Sequence, residues 1–197
     1  MQAGILETPT AGGPPPRKRF TRGEVERLAR AGFFEGQRFE LIEGDLIDKM
    51  GQKPPHACAI RLLLARLVKA FGPERILIQL PVELNSPDRE WSLPEPDLAV
   101  LSEVRADYRH RHPRGDELRL AIEISDTTVQ YDATVKRDLY ARAGVPEYWV
   151  LDVNARRLIV HRNPRDGRFL EVDILAGSES IRLGDEPDTI AVREMLP

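Results

Sequence analysis

Asp132, Lys136 and Tyr140 recur at a spacing of four in YDATVKRDLYARAGVPEYWVLD, which sets an acid, an amine and a phenol on one stripe of a helix. Just upstream, the apolar run LAIEIS is interrupted by Glu123, and PEPDLAVL carries Asp97 at the head of another apolar run. A carboxylate at the end of a short buried strand is costly unless it is paired or bound to a cation. Two carboxylates and a lysine suit a hard divalent cation, Mg2+ or Mn2+, and a water aimed at a phosphodiester. The oxygens hold the ion, and the ammonium orients the attacking water or steadies the developing negative charge. A second account is open at this point. In it Asp97 is a capping acid, and Asp132 with Lys136 is an exposed i,i+4 pair worth about 0.3–0.5 kcal/mol with no functional meaning.

The elements that must position these groups follow from periodicity. In ELRLAIEIS the two-residue period puts Leu118, Leu120, Ile122 and Ile124 on one face and Arg119, Ala121, Glu123 and Ser125 on the other. The following pattern predicts a helix from about Tyr131 to Ala143, closed by Gly144 and Pro146, with Tyr131, Val135 and Leu139 packing on the sheet. Lys136 then stands at the sheet-facing boundary, able to reach a strand end. The span from LAIEIS to EYWVLDV has the length of a βαβ crossover. Elsewhere, Thr21 and Glu24 form a capping-box pattern, RFELIEGDLIDKM reads as a hairpin turning at Glu43-Gly44, and Pro55 to Phe71 carries a helical apolar stripe. RILIQLPVEL, DLAVL, EYWVLDV, RLIVHRN and RFLEVDIL read as strands, residues 103 to 117 as a charged loop, and the segment after Gly177 as short strand-like pieces. The order predicts one α/β (mixed α+β) domain over residues 20–197, its sheet covered by helices, behind a flexible Pro- and Gly-rich tail over 1–19.

The 197 residues suffice for one substantial core, and 41% apolar with 31% charged residues is ordinary for a globular protein. A net charge of −3 counts against a broadly basic nucleic-acid binder, so DNA contact must rest on a local patch. A single cysteine, Cys58, excludes an intrachain disulfide. The N-terminus has no signal-peptide core and no stretch suits a membrane span, so a cytoplasmic location is expected.

The blocks FELIEGDLIDKM, the histidine of PPHACAIRLL, PDLAV, LAIEIS and above all D-x-x-x-K-x-x-x-Y followed by AGVPEYWVLD resemble the Uma-type family of restriction-endonuclease-like proteins, over Arg38 to about Glu171. That resemblance implies the PD-(D/E)XK nuclease fold, a central mixed sheet flanked by helices with a divalent cation at the strand ends. On this chain it makes Asp97 and Glu123 the metal-binding acids and Glu43 the additional upstream acid near the metal. Ser125 stands where that motif carries its lysine, and Lys136 on the following helix takes the vacant role. The histidine it matches is His56, placed to touch a phosphate or a metal-bound water. DNA is the implied substrate, and many nucleases of this fold pair as homodimers, since cutting two strands needs two sites.

Other residues are accessory candidates. Gln79 can reach the same cavity, and Tyr140 and Asp132 share the Lys136 stripe. Arg105, Arg109, Arg111 and Arg114 form a basic run that either grips a DNA backbone or is merely solvated. His110 and His112 lack a third ligand in sequence and make no metal site. Against the metal-dependent endonuclease stand a catalytically inactive module of the same fold that binds nucleic acid or a protein partner, and an accessory protein of a mobile element.

Overall fold

The structure is a computed structural model and describes residues 17–49, 51, 53–184 and 189–197. Most of the expected tail, residues 1–16, lies outside the described residues. Its last residues are tied down: Lys18 pairs with Glu24, and Arg19 donates to the Glu43 carbonyl. Helix α1 (Arg22–Arg30) starts on the Thr21–Glu24 capping box. A hairpin of β1 (Phe39–Ile42) and β2 (Asp45–Asp48) turns at Glu43-Gly44, both with positive φ, the tight geometry that Gly favours. Helix α2 (Pro54–Phe71) follows.

The centre is a six-stranded sheet of β3 (Ile76–Ile78), β4 (Leu98–Leu101), β5 (Leu118–Ser125), β6 (Glu147–Asp152), β7 (Arg157–Arg165) and β8 (Arg168–Ala176), in that spatial order. Only β5 and β6 are parallel. They are joined by α3 (Val129–Tyr131), a π-helical stretch (Asp132–Lys136) and α4 (Arg137–Arg142), which is the expected crossover. A last small ladder pairs β9 (Ser180–Arg182) with β10 (Thr189–Ala191).

Helices cover both faces of the sheet. Ala59, Ile60, Leu63 and Leu67 of α2 pack with Leu98, Val100, Leu120, Ile122 and Ile124, while Leu139 and Tyr140 of α4 pack with Ala99, Ala121, Tyr148 and Val150 on the other side. Two sequence expectations change. Leu118 lies with the α4 cluster rather than beside Leu120, because the β4–β5 register shifts between Val100 and Leu101 and a one-residue irregularity moves a side chain to the opposite face. The strand expected through RILIQLPVEL stops at Ile78, because Gln79 takes a left-handed φ of 50° and turns the chain.

His161 sits inside the α4-side core, 2% exposed, its ring 5.7 Å from Tyr148 and 5.8 Å from Phe169. Neither ring nitrogen has a hydrogen-bond partner. Burial, helped by the Arg137 charge, pulls its pKa down from 6.5 to about 4. The folded protein therefore keeps this ring neutral while the unfolded chain protonates it, so stability falls as pH drops from about 6.5 toward about 4. His161→Phe is expected to raise stability by about 1–3 kcal/mol and to flatten the stability profile in that window. Urea melts across it that retain the full wild-type slope would contradict this.

Candidate active site

The antiparallel register pairs Leu98 with Ile122, and one step beyond that pair stand Asp97 and Glu123, on the α4 side of the sheet. Cross-strand neighbours of this kind hold their Cβ atoms about 4.5–5.5 Å apart. A proline-rich loop thus delivers Asp97 and a long strand delivers Glu123 to one point. The backbone N–H of Ile124 donates to Asp97 Oδ2 at 2.9 Å and locks the two strand ends together.

Lys136 reaches this point from the crossover. It and Asp132 are each 4% exposed, so they are not the surface pair that spacing alone allowed. The π-helical stretch that begins at Asp132 and ends at Lys136 widens the turn and directs both side chains inward, as such bulges often do at functional sites. Lys136 Nζ lies 2.6 Å from Glu40 Oε1, 3.0 Å from Glu123 Oε1 and 3.8 Å from Asp132 Oδ1. Tyr140 donates its hydroxyl to Glu123 Oε1 at 3.1 Å, while Ser125 and Thr128 donate to Asp132 Oδ2, both at 2.6 Å. Ser125, where the resemblance implies a lysine, supports the acid that in turn flanks Lys136.

Asp97 has its own shell. His56 Nε2 lies 3.0 Å from Oδ2, and Gln79 donates from Nε2 to Oδ1 at 3.1 Å while accepting from Arg38. Burial disfavours the Asp97 charge, but His56, the Ile124 N–H and Lys49 hold its pKa below the ordinary value; His56 in return is raised by Asp97 against its own burial. Around Lys136 the balance differs. Burial pushes Glu123 up to about 8, with Lys136 opposing and Asp97, Glu40 and Asp132 reinforcing. Asp132 is raised by burial as well, and Lys136, though burial favours its neutral form, is held above its ordinary value by the three acids. One ammonium cannot neutralise three carboxylates, so the surplus negative charge favours the protonated form of Glu123 and the charged form of Lys136.

Beside the buried Glu123 and Tyr140 opens a cleft lined by Glu40, His56, Gln79, Asp97, Asp132 and Lys136, with Arg38, Lys49, Lys53 and Tyr131 also on its walls. Glu43 is not among them: it sits at the hairpin turn with its carboxylate on Arg142 at 2.9 Å. Glu40, three residues earlier and 4% exposed, takes the place beside Lys136. The signal was in the sequence, an acid between Phe39 and Leu41 in an apolar strand, the same feature that singled out Glu123. The arginine run is also elsewhere. It follows the C-terminal end of β4 and precedes the N-terminal end of β5, so the eight residues of β5, about 26 Å of strand, separate it from the cleft. Three of its four arginines are engaged: Arg111 makes a bidentate pair with Glu117 at 2.7 Å, Arg105 reaches Glu103, and Arg114 reaches Asp116. Arg111 holds the Glu117 carboxyl down at about 2, so this loop is a folded ion-pair network.

Among the described residues no three His, Cys, Asp or Glu side chains converge to enclose a metal ion. Oxygen donors of this kind at the strand ends, Asp97 on the cleft and Glu123 buried beside it, are of the type a hard cation takes, with water and phosphate oxygens needed to complete its shell. They do not fit a closed all-protein cage.

A mixed six-stranded sheet flanked by helices, with acids gathered at the ends of β4 and β5, is the restriction-endonuclease-like architecture. The chain belongs to the Uma2 family: the family model, described as "Putative restriction endonuclease", matches residues 23–191. A solved structure described as "a putative nuclease belonging to DUF820 from Anabaena variabilis ATCC 29413" is similar over 80% of this chain and 88% of that one, with a TM-score of 0.63 at 15% sequence identity. At that identity the likeness shows a shared fold. No curated protein matches the chain in sequence. No helix among the described residues is long and apolar enough to cross a membrane.

Proposed function

We propose that this protein is a metal-dependent nuclease that hydrolyses DNA phosphodiester bonds at the Asp97 cleft. The observation that carries this reading is that Asp97 and Glu123 meet at the strand ends, while Lys136, 3.0 Å from the buried Glu123, shares one cleft wall with Asp97. Asp97 and Glu123 are the residues that would hold Mg2+ or Mn2+. A cation there supplies charge stabilisation for the phosphoryl oxygens and an acidified water. The rest falls to the chain. His56, Gln79 and the Ile124 N–H keep the Asp97 carboxylate ionised and oriented. Glu40 and Asp132 keep Lys136 charged and fixed on the cleft wall, where its ammonium orients the attacking water and steadies negative charge developing on the phosphoryl group. Tyr140 fixes the rotamer of Glu123.

Titration calorimetry with Mn2+ on the wild type and on Asp97→Ala tests the metal site, with thermal melts showing that both are folded. The expected result is binding in the wild type and none in the variant. Equal binding in both would remove Asp97 from the site. Absence of binding in either, with and without DNA, would favour the catalytically inactive module.

A further inference from the structure

The cleft has a volume of about 220 Å³ and walls of three kinds. Its depth is acidic, with Glu40, Asp97 and Asp132; its rim carries the cations Arg38, Lys49 and Lys53 beside Asp48 and Asp126, with Arg38 and Lys49 near Glu95 at 3.8 Å and Lys53 on Asp126 at 2.9 Å; and one wall is apolar, formed by Ile47 and the half-buried ring of Tyr131. Beside the mouth, Ile78 and Leu80 flank Gln79 and are each 46% exposed. A protein that grips duplex DNA needs a broad row of phosphate contacts. Here the chain is net negative, and its richest arginine run follows β4 and precedes β5, at the end of the sheet away from the cleft. A few rim cations beside an aromatic face and apolar shoulders are instead what a strand with exposed bases requires. The backbone takes the cations, and a base takes the ring.

Resting on the nuclease reading, we propose that the cleft receives an unpaired segment of DNA, with its phosphate against Arg38, Lys49 and Lys53 and a base stacked on Tyr131. Paired bases are already stacked within the duplex and must be extruded before one can reach a ring inside a cleft of this size. Single strands, flaps and distorted sites are therefore the substrate class, and intact duplex is the poorer ligand.

Fluorescence anisotropy tests this with a labelled single strand of about 12 nucleotides and the corresponding blunt duplex. Ca2+ is present to balance the acidic floor without supporting cleavage. The wild type is expected to bind the single strand at least about tenfold more tightly than the duplex. Tyr131→Ala should weaken single-strand binding by about 5- to 150-fold. Tyr131→Phe should keep the wild-type affinity, and Tyr131→Leu, which retains apolar volume but has no ring, should behave as the alanine variant. Thermal melts confirm that each is folded. Duplex bound as tightly as the single strand, or unchanged binding by Tyr131→Leu, overturns the proposal while leaving the nuclease reading in place. Failure to bind DNA of either form overturns both.

Discussion

Replacing Lys136 by methionine is expected to lower the free energy of unfolding by about 3–5 kcal/mol, the cost of leaving buried charge without its partner. The lysine is 4% exposed and faces Glu40, Glu123 and Asp132 at 2.6, 3.0 and 3.8 Å. Methionine fills much of the same volume, so the loss is electrostatic and not a cavity. The pH dependence gives the effect its signature. Burial raises Glu123 from 4.5 to about 8, so the folded state binds this proton more tightly than the unfolded chain does, and stability falls as pH rises between those values. Without the ammonium the carboxyls are harder still to ionise, and the fall should steepen. Urea melts at about pH 5 and about pH 8 check this: the deficit of Lys136→Met should be larger at the higher pH. The double variant Glu123→Gln/Lys136→Met should recover part of it. A single variant within about 1 kcal/mol of wild type at both values, the scale of a surface pair, would show that the network carries little energy.

The largest effect on activity is expected at Asp97. Asp97→Asn keeps the shape and an acceptor for the Ile124 N–H but loses the charge that His56 faces and that the proposed cation would need. Cleavage of DNA in the presence of Mn2+ should fall by at least about 10³-fold with the protein still folded. Two variants outside the cleft mark its limits. Glu43→Gln alters a side chain that pairs with Arg142, and Arg111→Ala alters the loop at the other end of β5; both should retain cleavage. Loss of cleavage in Glu43→Gln equal to that in Asp97→Asn would return the upstream acid to the position implied by family resemblance and remove it from Glu40.

Local chemistry made much of this protein legible without coordinates. The Thr21–Glu24 box, the Glu43-Gly44 turn, the α2 stripe and the crossover ending at Gly144 are each specified by a few neighbouring residues, and each formed as expected. The pairing of a strand-end acid with a helical lysine was legible for the same reason, since a charge within an apolar run must find a partner. Pairing across long separations was not. That Asp97 faces Glu123 depends on the β4–β5 register, and that Leu118 leaves the face of Leu120 depends on a shift in it; neither is encoded by period two within one strand. That Asp132 and Lys136 both turn inward depends on a π-helical turn, which the spacing of four does not announce. The choice of Glu40 over Glu43 was decided by how the hairpin lies over β4 and β5, which carries one acid to Lys136 and the other to Arg142. The sequence by itself determined which elements form and which charges need partners, because those are matters of local geometry and solvation. Only the tertiary structure decided which partners they find, because that is a matter of register and packing between segments far apart in the chain.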